Sequence, residues 1–145
     1  MPVREMNHVG IVVDDLHQAI EFFAELGLDP GGETSVEGSW VDRIVGLEGV
    51  RADTAMMRTP DGHGRLELIQ FRSPPSQGGN GHAPANVPGL RHVAFIVEDI
   101  DDTVTRLQTR GGELVGHVEQ YGDMFRLCYL RGPAGIIVEL AERLG

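Results

Sequence analysis

The chain is written twice. Slid against itself by 84 residues, it sets His8, Val9, Val13, Asp15 and Gly27 on His92, Val93, Val97, Asp99 and Gly111. Between these identities the replacements keep apolar character: Ile11 for Phe95, Val12 for Ile96, Leu16 for Ile100, Ile20 for Val104 and Phe23 for Leu107. Whatever one copy builds, the other must build too, so the repeat narrows the possible folds more than composition does.

Each copy opens with a β-branched apolar run of about six residues, the length of a buried strand, that stops at an acidic pair. A helix is predicted next. Asp15 with Gln18, and Asp99 with Asp102, have the spacing of an N-cap followed three residues later by a side chain that can reach back. Leu16, Ile20 and Phe23 make one apolar stripe, as do Ile100, Val104 and Leu107, and Gly27 or Gly111 supplies the stop.

After each helix the period falls to two. The first copy is predicted to have strands near Gly32 to Val36, Ala52 to Arg58 and Arg65 to Phe71, the last pair joined by the turn "TPDGHG", with a short helix in the insert "SWVDRIVGL". The second copy is predicted to have strands near Glu113 to Val118, Met124 to Leu130 and Ile136 to Leu140, the last pair joined by "RGPAG". Each half is strand, helix, strand, strand, strand: an α+β chain. The expected organisation is one domain over residues 1–145, with module 1 at 5–72, a Pro/Gly/Asn-rich linker at 73–89 and module 2 at 90–143. A four-stranded sheet with one helix leaves a face uncovered, so the two halves are expected to enclose a shared concave space.

At 145 residues and 41% hydrophobic content the chain can bury a core. With 12 Lys plus Arg against 22 Asp plus Glu, a net charge of −10, it has no basic field to hold nucleic acid or an anionic membrane. No apolar run approaches the roughly 18 residues of a membrane span, and Arg4, Glu5, Asp14 and Asp15 stand where a signal peptide needs an apolar centre, so a cytoplasmic location is expected. Cys128 is the single cysteine, and its place in "FRLCYL" predicts a buried structural thiol.

Four polar residues recur inside the apolar strands. His8 and His92 stand near the start of each half's first strand, and Glu67 and Glu139 lie in each half's last strand, in "LEL" and "VEL". Taken singly, each histidine reads as a strand-end group hydrogen-bonded to backbone or water. Glu67 shares strand parity with Arg65, as in a solvated ion pair, and Glu139 reads as a surface carboxylate near the C-terminus. Together they say more: both types return at equivalent places while surface residues drifted, Gln18 to Asp102, Glu21 to Thr105 and Glu25 to Thr109. Two imidazoles and two carboxylates suit a divalent cation of mixed nitrogen and oxygen preference. His17, His63, His82 and His117 lack such support and are expected in solvent. Trp40, Tyr121, Arg126 and Met56 are pocket candidates, explained equally well as core or surface.

The stretches "HVGIVVDDLHQAIEFFAELGL", "RLELIQF", "GLRHVAFIVEDIDD" and "GPAGIIVELAE", in that order along nearly the whole chain, resemble the vicinal oxygen chelate superfamily of glyoxalases, bleomycin-resistance proteins and extradiol dioxygenases. The resemblance implies two tandem βαβββ modules forming an incompletely closed eight-stranded barrel. It also implies one divalent metal ion per site, Ni, Zn, Fe, Mn or Co, with ligands His8, Glu67, His92 and Glu139, a set similar to that of bacterial glyoxalase I. The implied function is a lyase or isomerase: proton transfer through a metal-chelated enediolate on a small substrate with adjacent oxygens, with Glu139 as first candidate base and Glu67 as second. Family members are commonly homodimers. Two alternatives stay open, a small-molecule binding protein of the bleomycin-resistance type and an extradiol-type dioxygenase. The "DPDGY"-type turn of many glyoxalase I sequences is absent, "RGPAGI" standing in its place, which leaves the substrate open.

Overall fold

The computed structural model describes residues 2–79 and 81–145; Met1, and Asn80 of the expected linker, lie outside the described residues. The chain divides into two compact units between Gly78 and Gly79.

In the first unit, strand β1 (Val9–Val12) leads to helix α1 (Leu16–Leu26), then β2 (Asp29–Glu37), the short helix α2 (Ser39–Val45), β3 (Arg51–Arg58) and β4 (Arg65–Ser73). The sheet order is β1-β4-β3-β2, with β1 parallel to β4 and the other pairs antiparallel. The second unit repeats this with β5 (His92–Ile96), α3 (Ile100–Gln108), β6 (Glu113–Leu114), β7 (Glu119–Tyr121), β8 (Phe125–Arg131) and β9 (Ile137–Arg143), in the order β5-β9-β8-β6 with β7 also on β8. The outcome is an α+β fold of two βαβββ-like sheets.

Both helices start as the sequence predicts. Asp15 accepts the Gln18 N–H and Asp99 the Asp102 N–H, each at 3.0 Å, which satisfies one of the first-turn donors that a helix leaves without an internal partner. A second device anchors each start to the sheet: the Leu16 N–H donates to Gln70 Oε1 at 2.9 Å, and the Ile100 N–H to Glu142 Oε1 at 2.8 Å. Gln70 lies on β4 and Glu142 on β9, so the same strand tethers the helix in both units.

The core lies between helix and sheet in each unit. On α1 the buried residues are Leu16, Ala19, Phe22 and Phe23, with Phe22 and Phe23 edge to face at 5.2 Å. The stripe is therefore centred one position away from the predicted Leu16, Ile20 and Phe23. Burying each of the two Phe side chains contributes about 1.5–3 kcal/mol. Facing them are Ala55, Met57, Leu66 and Leu68. In the second unit Ile100, Val104 and Leu107 are buried as predicted, in the same unit as Val138, Leu140, Leu130 and Cys128, whose thiol burial pushes up from its ordinary pKa.

Two expectations need correction. Helix α3 ends at Gln108, and Gly111, at φ +87°, falls in the turn that follows; its N–H reaches back to Gln108 O at 3.2 Å. The predicted strand from Glu113 to Val118 is two pieces, because the ladder on β8 ends after Val115 and resumes at Glu119. Gly116, with no side chain to pack, lies in the break. No helix among the described residues is long and apolar enough to cross a membrane.

Candidate metal-ligand pairs

Alternation along β4 and β9 decides where the two glutamates go. Leu66 and Leu68 are buried toward α1, so Glu67 between them points to the opposite face; Val138 and Leu140 do the same to Glu139 in the second unit. On the neighbouring strands Gly10 lies opposite Glu67 and Ala94 opposite Glu139. Both are small. The histidine two residues earlier therefore reaches the carboxylate diagonally, with no side chain of size between.

The result is one pair in each unit. His8 Nε2 is 3.5 Å from Glu67 Oε1, and His92 Nε2 is 3.3 Å from Glu139 Oε1. The side chains are 35% and 30% exposed in the first pair, 39% and 21% in the second. Both separations are long for a direct N–H···O bond, which peaks near 2.9 Å. Two donors held about 2.1 Å from one cation lie about 3.0 Å apart at a right angle and about 3.4 Å apart at the tetrahedral angle. The pairs thus have the spacing of neighbouring ligands, and their imidazole and carboxylate chemistry fits a divalent ion. Among the described residues no three or more His, Cys, Asp or Glu side chains are gathered into a metal-holding group, so the geometry is that of two pairs.

The surroundings of the histidines differ. His8 Nδ1 donates to Asn7 Oδ1 at 2.7 Å, which orients the ring with Nε2 facing Glu67. Arg91 takes the place of Asn7 in the second unit; its guanidinium has only donors and cannot accept from His92. Instead the Tyr129 ring lies against the His92 ring, centroids 5.0 Å apart and planes tilted by 36°. Tyr129 is also the cross-strand partner of Glu139, as Met56 is of Glu67.

In the first unit the insert covers one end of the sheet face that carries Glu67. Val41 of α2 and Val50 pack with Ala52, Val36, Ile69 and Phe71, and Asp42 fastens the loop by accepting the N–H groups of Gly49 at 3.0 Å and Val50 at 2.8 Å.

Of the pocket candidates, Met56 lies beside Glu67, whereas Trp40 and Tyr121 are 53% and 67% exposed. Arg126 is on the helix side, in a two-bond pair with Asp101 at 2.8 and 3.1 Å. His17, His63, His82 and His117 are exposed, as expected. The carboxylates held below their ordinary range are elsewhere: Asp53 by hydrogen bonds from Ser35 and then Arg72, Asp61 by Thr59, and Asp101 by Arg126.

Sequence reasoning passed over Tyr129, Gln70 and Glu142. A signal for Tyr129 existed: a hairpin centred on Ala134 of "GPAG" sets it across from Glu139.

Comparison with known proteins agrees with the fold. A family model described as Glyoxalase/Bleomycin resistance protein/Dioxygenase superfamily matches residues 7–129. The uncharacterized protein YaeR of Escherichia coli is 27% identical over 97% of this chain and 98% of that protein. The uncharacterized protein YwbC of Bacillus subtilis is 26% identical, again over 97% and 98%. Among solved structures, a glyoxalase family protein from Bacillus cereus is 48% identical, with a TM-score of 0.96 covering 100% of this chain and 97% of that one.

Proposed function

The chain belongs to the Glyoxalase/Bleomycin resistance protein/Dioxygenase superfamily, and on that premise we propose that it is a divalent-metal-dependent lyase or isomerase of the glyoxalase I type. His8, Glu67, His92 and Glu139 are its ligand set, and Ni, Zn, Fe, Mn or Co the candidate ions. The observation that carries the reading is the duplication of one motif, a histidine set diagonally across from a glutamate at 3.5 and 3.3 Å, on equivalent strands of both units.

When bound, a divalent cation supplies Lewis-acid stabilisation of the charge that develops on a substrate oxygen. The chain's own residues do the rest. Imidazole Nε2 atoms are neutral donors, so the two carboxylates bring the ligand set close to electrical balance with a 2+ ion. The substrate class is a small molecule with adjacent oxygens, a hydroxy-ketone or hydroxy-thiohemiacetal. A Glu139 carboxylate oxygen takes the proton from the hydroxyl-bearing carbon beside the carbonyl and returns it to the former carbonyl carbon, while the hydroxyl proton passes to the former carbonyl oxygen, so that the hydroxyl and carbonyl groups exchange places with no external oxidant or reductant. Glu139 is the first candidate for the base and Glu67 the second, Glu139 being the less exposed of the two, 21% against 30%. The protein acts as a homodimer in the cytoplasm.

The test is metal analysis of purified wild type, His92→Ala and Glu139→Gln, with isomerase assays on 2-oxoaldehyde–thiol adducts. About one divalent ion per chain is expected in wild type. His92→Ala should lose the ion and Glu139→Gln the activity, both remaining folded. A folded wild type with no affinity for any of the five ions would overturn the proposal and favour a drug-binding role.

A further inference from the structure

The two histidines of the ligand set are held by different means, and the difference assigns a role to a residue outside that set. His8 is oriented by the hydrogen bond from Nδ1 to Asn7. For His92 the repeat puts Arg91 where that acceptor would be, and the contact on its ring is Tyr129. Tyr129 is on β8, directly across from Glu139 on β9, while His92 is on β5 at the other side of β9, paired with Ile137. A side chain at Tyr129 is therefore next to both members of the second pair. A smaller one, such as leucine, would not offer a face to the imidazole. Met56, in the equivalent place across from Glu67, has no ring, and there Asn7 does the orienting.

We propose that Tyr129 is the positioning residue for His92: its ring fixes the imidazole so that Nε2 stays turned toward Glu139. The inference deepens the metal-ligand reading and rests on it for its consequence, because an imidazole free to rotate must be ordered at the moment it takes up an ion. Its geometric part stands on the ring contact alone. The face of Tyr129 does the work, so its hydroxyl is dispensable.

The experiment uses the full chain in wild type, Tyr129→Phe and Tyr129→Leu, in two arms. The first is metal-free: the His92 imidazole carbon-bound protons, identified by their loss in His92→Ala, are followed by NMR. In wild type and Tyr129→Phe they should show the same nuclear Overhauser contacts to the Glu139 side-chain protons, and in Tyr129→Leu those contacts should fade as the imidazole turns away. The second arm is Zn²⁺ titration by calorimetry. Tyr129→Phe should match wild type, and Tyr129→Leu should bind about 10- to 100-fold more weakly, the usual effect of removing a group that orients a ligand. Unchanged His92–Glu139 contacts in Tyr129→Leu, or a measurable wild-type Zn²⁺ affinity that Tyr129→Leu equals, would overturn the proposal. So would a Tyr129→Phe variant as impaired as Tyr129→Leu. Wild type that binds no Zn²⁺ while its His92–Glu139 contacts still depend on Tyr129 sinks the metal reading and leaves the positioning role intact.

Discussion

Replacing Gln70 by leucine tests how the strand that carries Glu67 also holds its helix. Gln70 is three residues after Glu67, so the two project from opposite faces of β4. Its Oε1 accepts the Leu16 N–H at 2.9 Å in a part-buried setting, and Leu16 is the first residue of α1. Leucine has similar bulk and no acceptor. Losing a neutral hydrogen bond costs about 1 kcal/mol, and leaving the donor without an acceptor in a partly dry place raises the total to roughly 1–3 kcal/mol. For a chain of this length each kcal/mol is worth about 2–4 °C in Tm, so Gln70→Leu should melt roughly 2–12 °C below wild type. Gln70→Glu keeps an acceptor and should melt close to wild type. Glu142→Leu removes a carboxylate acceptor at 2.8 Å and should fall at least as far as Gln70→Leu. Thermal unfolding followed by circular dichroism reads all three. A Gln70→Leu protein within about 1 °C of wild type would refute the reasoning, since a bond of that length would then contribute nothing.

Two further outcomes are expected. Asp42→Ala removes the acceptor for the Gly49 and Val50 N–H groups; it should cost about 1–2 kcal/mol and make the segment 43–49 the first site cut in limited proteolysis. Asp101 is held below its ordinary value of 3.8 by its hydrogen bonds from Arg126, so the pair's contribution is complete above that value and disappears as the pH falls through the lower folded one. Asp101→Asn should therefore melt below wild type at pH 7, and the gap should close in acid, as differential melting from pH 7 to pH 2 would show.

What the sequence disclosed and what it hid divide along a physical line. Helix starts are local chemistry, and Asp15 and Asp99 named them correctly because a cap bonds three residues away. The histidines and glutamates stood out because the repeat brought them back, and alternation set each glutamate on the face away from its helix. Tyr129 did not stand out: its meaning depends on which residue lies across the hairpin, and a shift of one residue in register would have sent it to the other face. Gln70 and Glu142 were passed over for a related reason, since a polar residue in a strand reads as solvated until the helix above it is placed. The α2 insert was legible as a helix, but not that its Val41 would pack over the sheet face that carries Glu67.

That insert has a consequence for how such a chain can change. The strands β4 and β9, which carry Glu67 and Glu139, are hydrogen-bonded on both sides, so an inserted or deleted residue there would misplace the glutamates at once. The wall formed by Val41 and Val50 comes from a connection between β2 and β3, fastened by a single aspartate and free of strand register. Natural variation can lengthen, shorten or recolour that wall while the paired donors keep their spacing. New molecular tastes are therefore expected to arise in residues 38–50 before they arise in the strands.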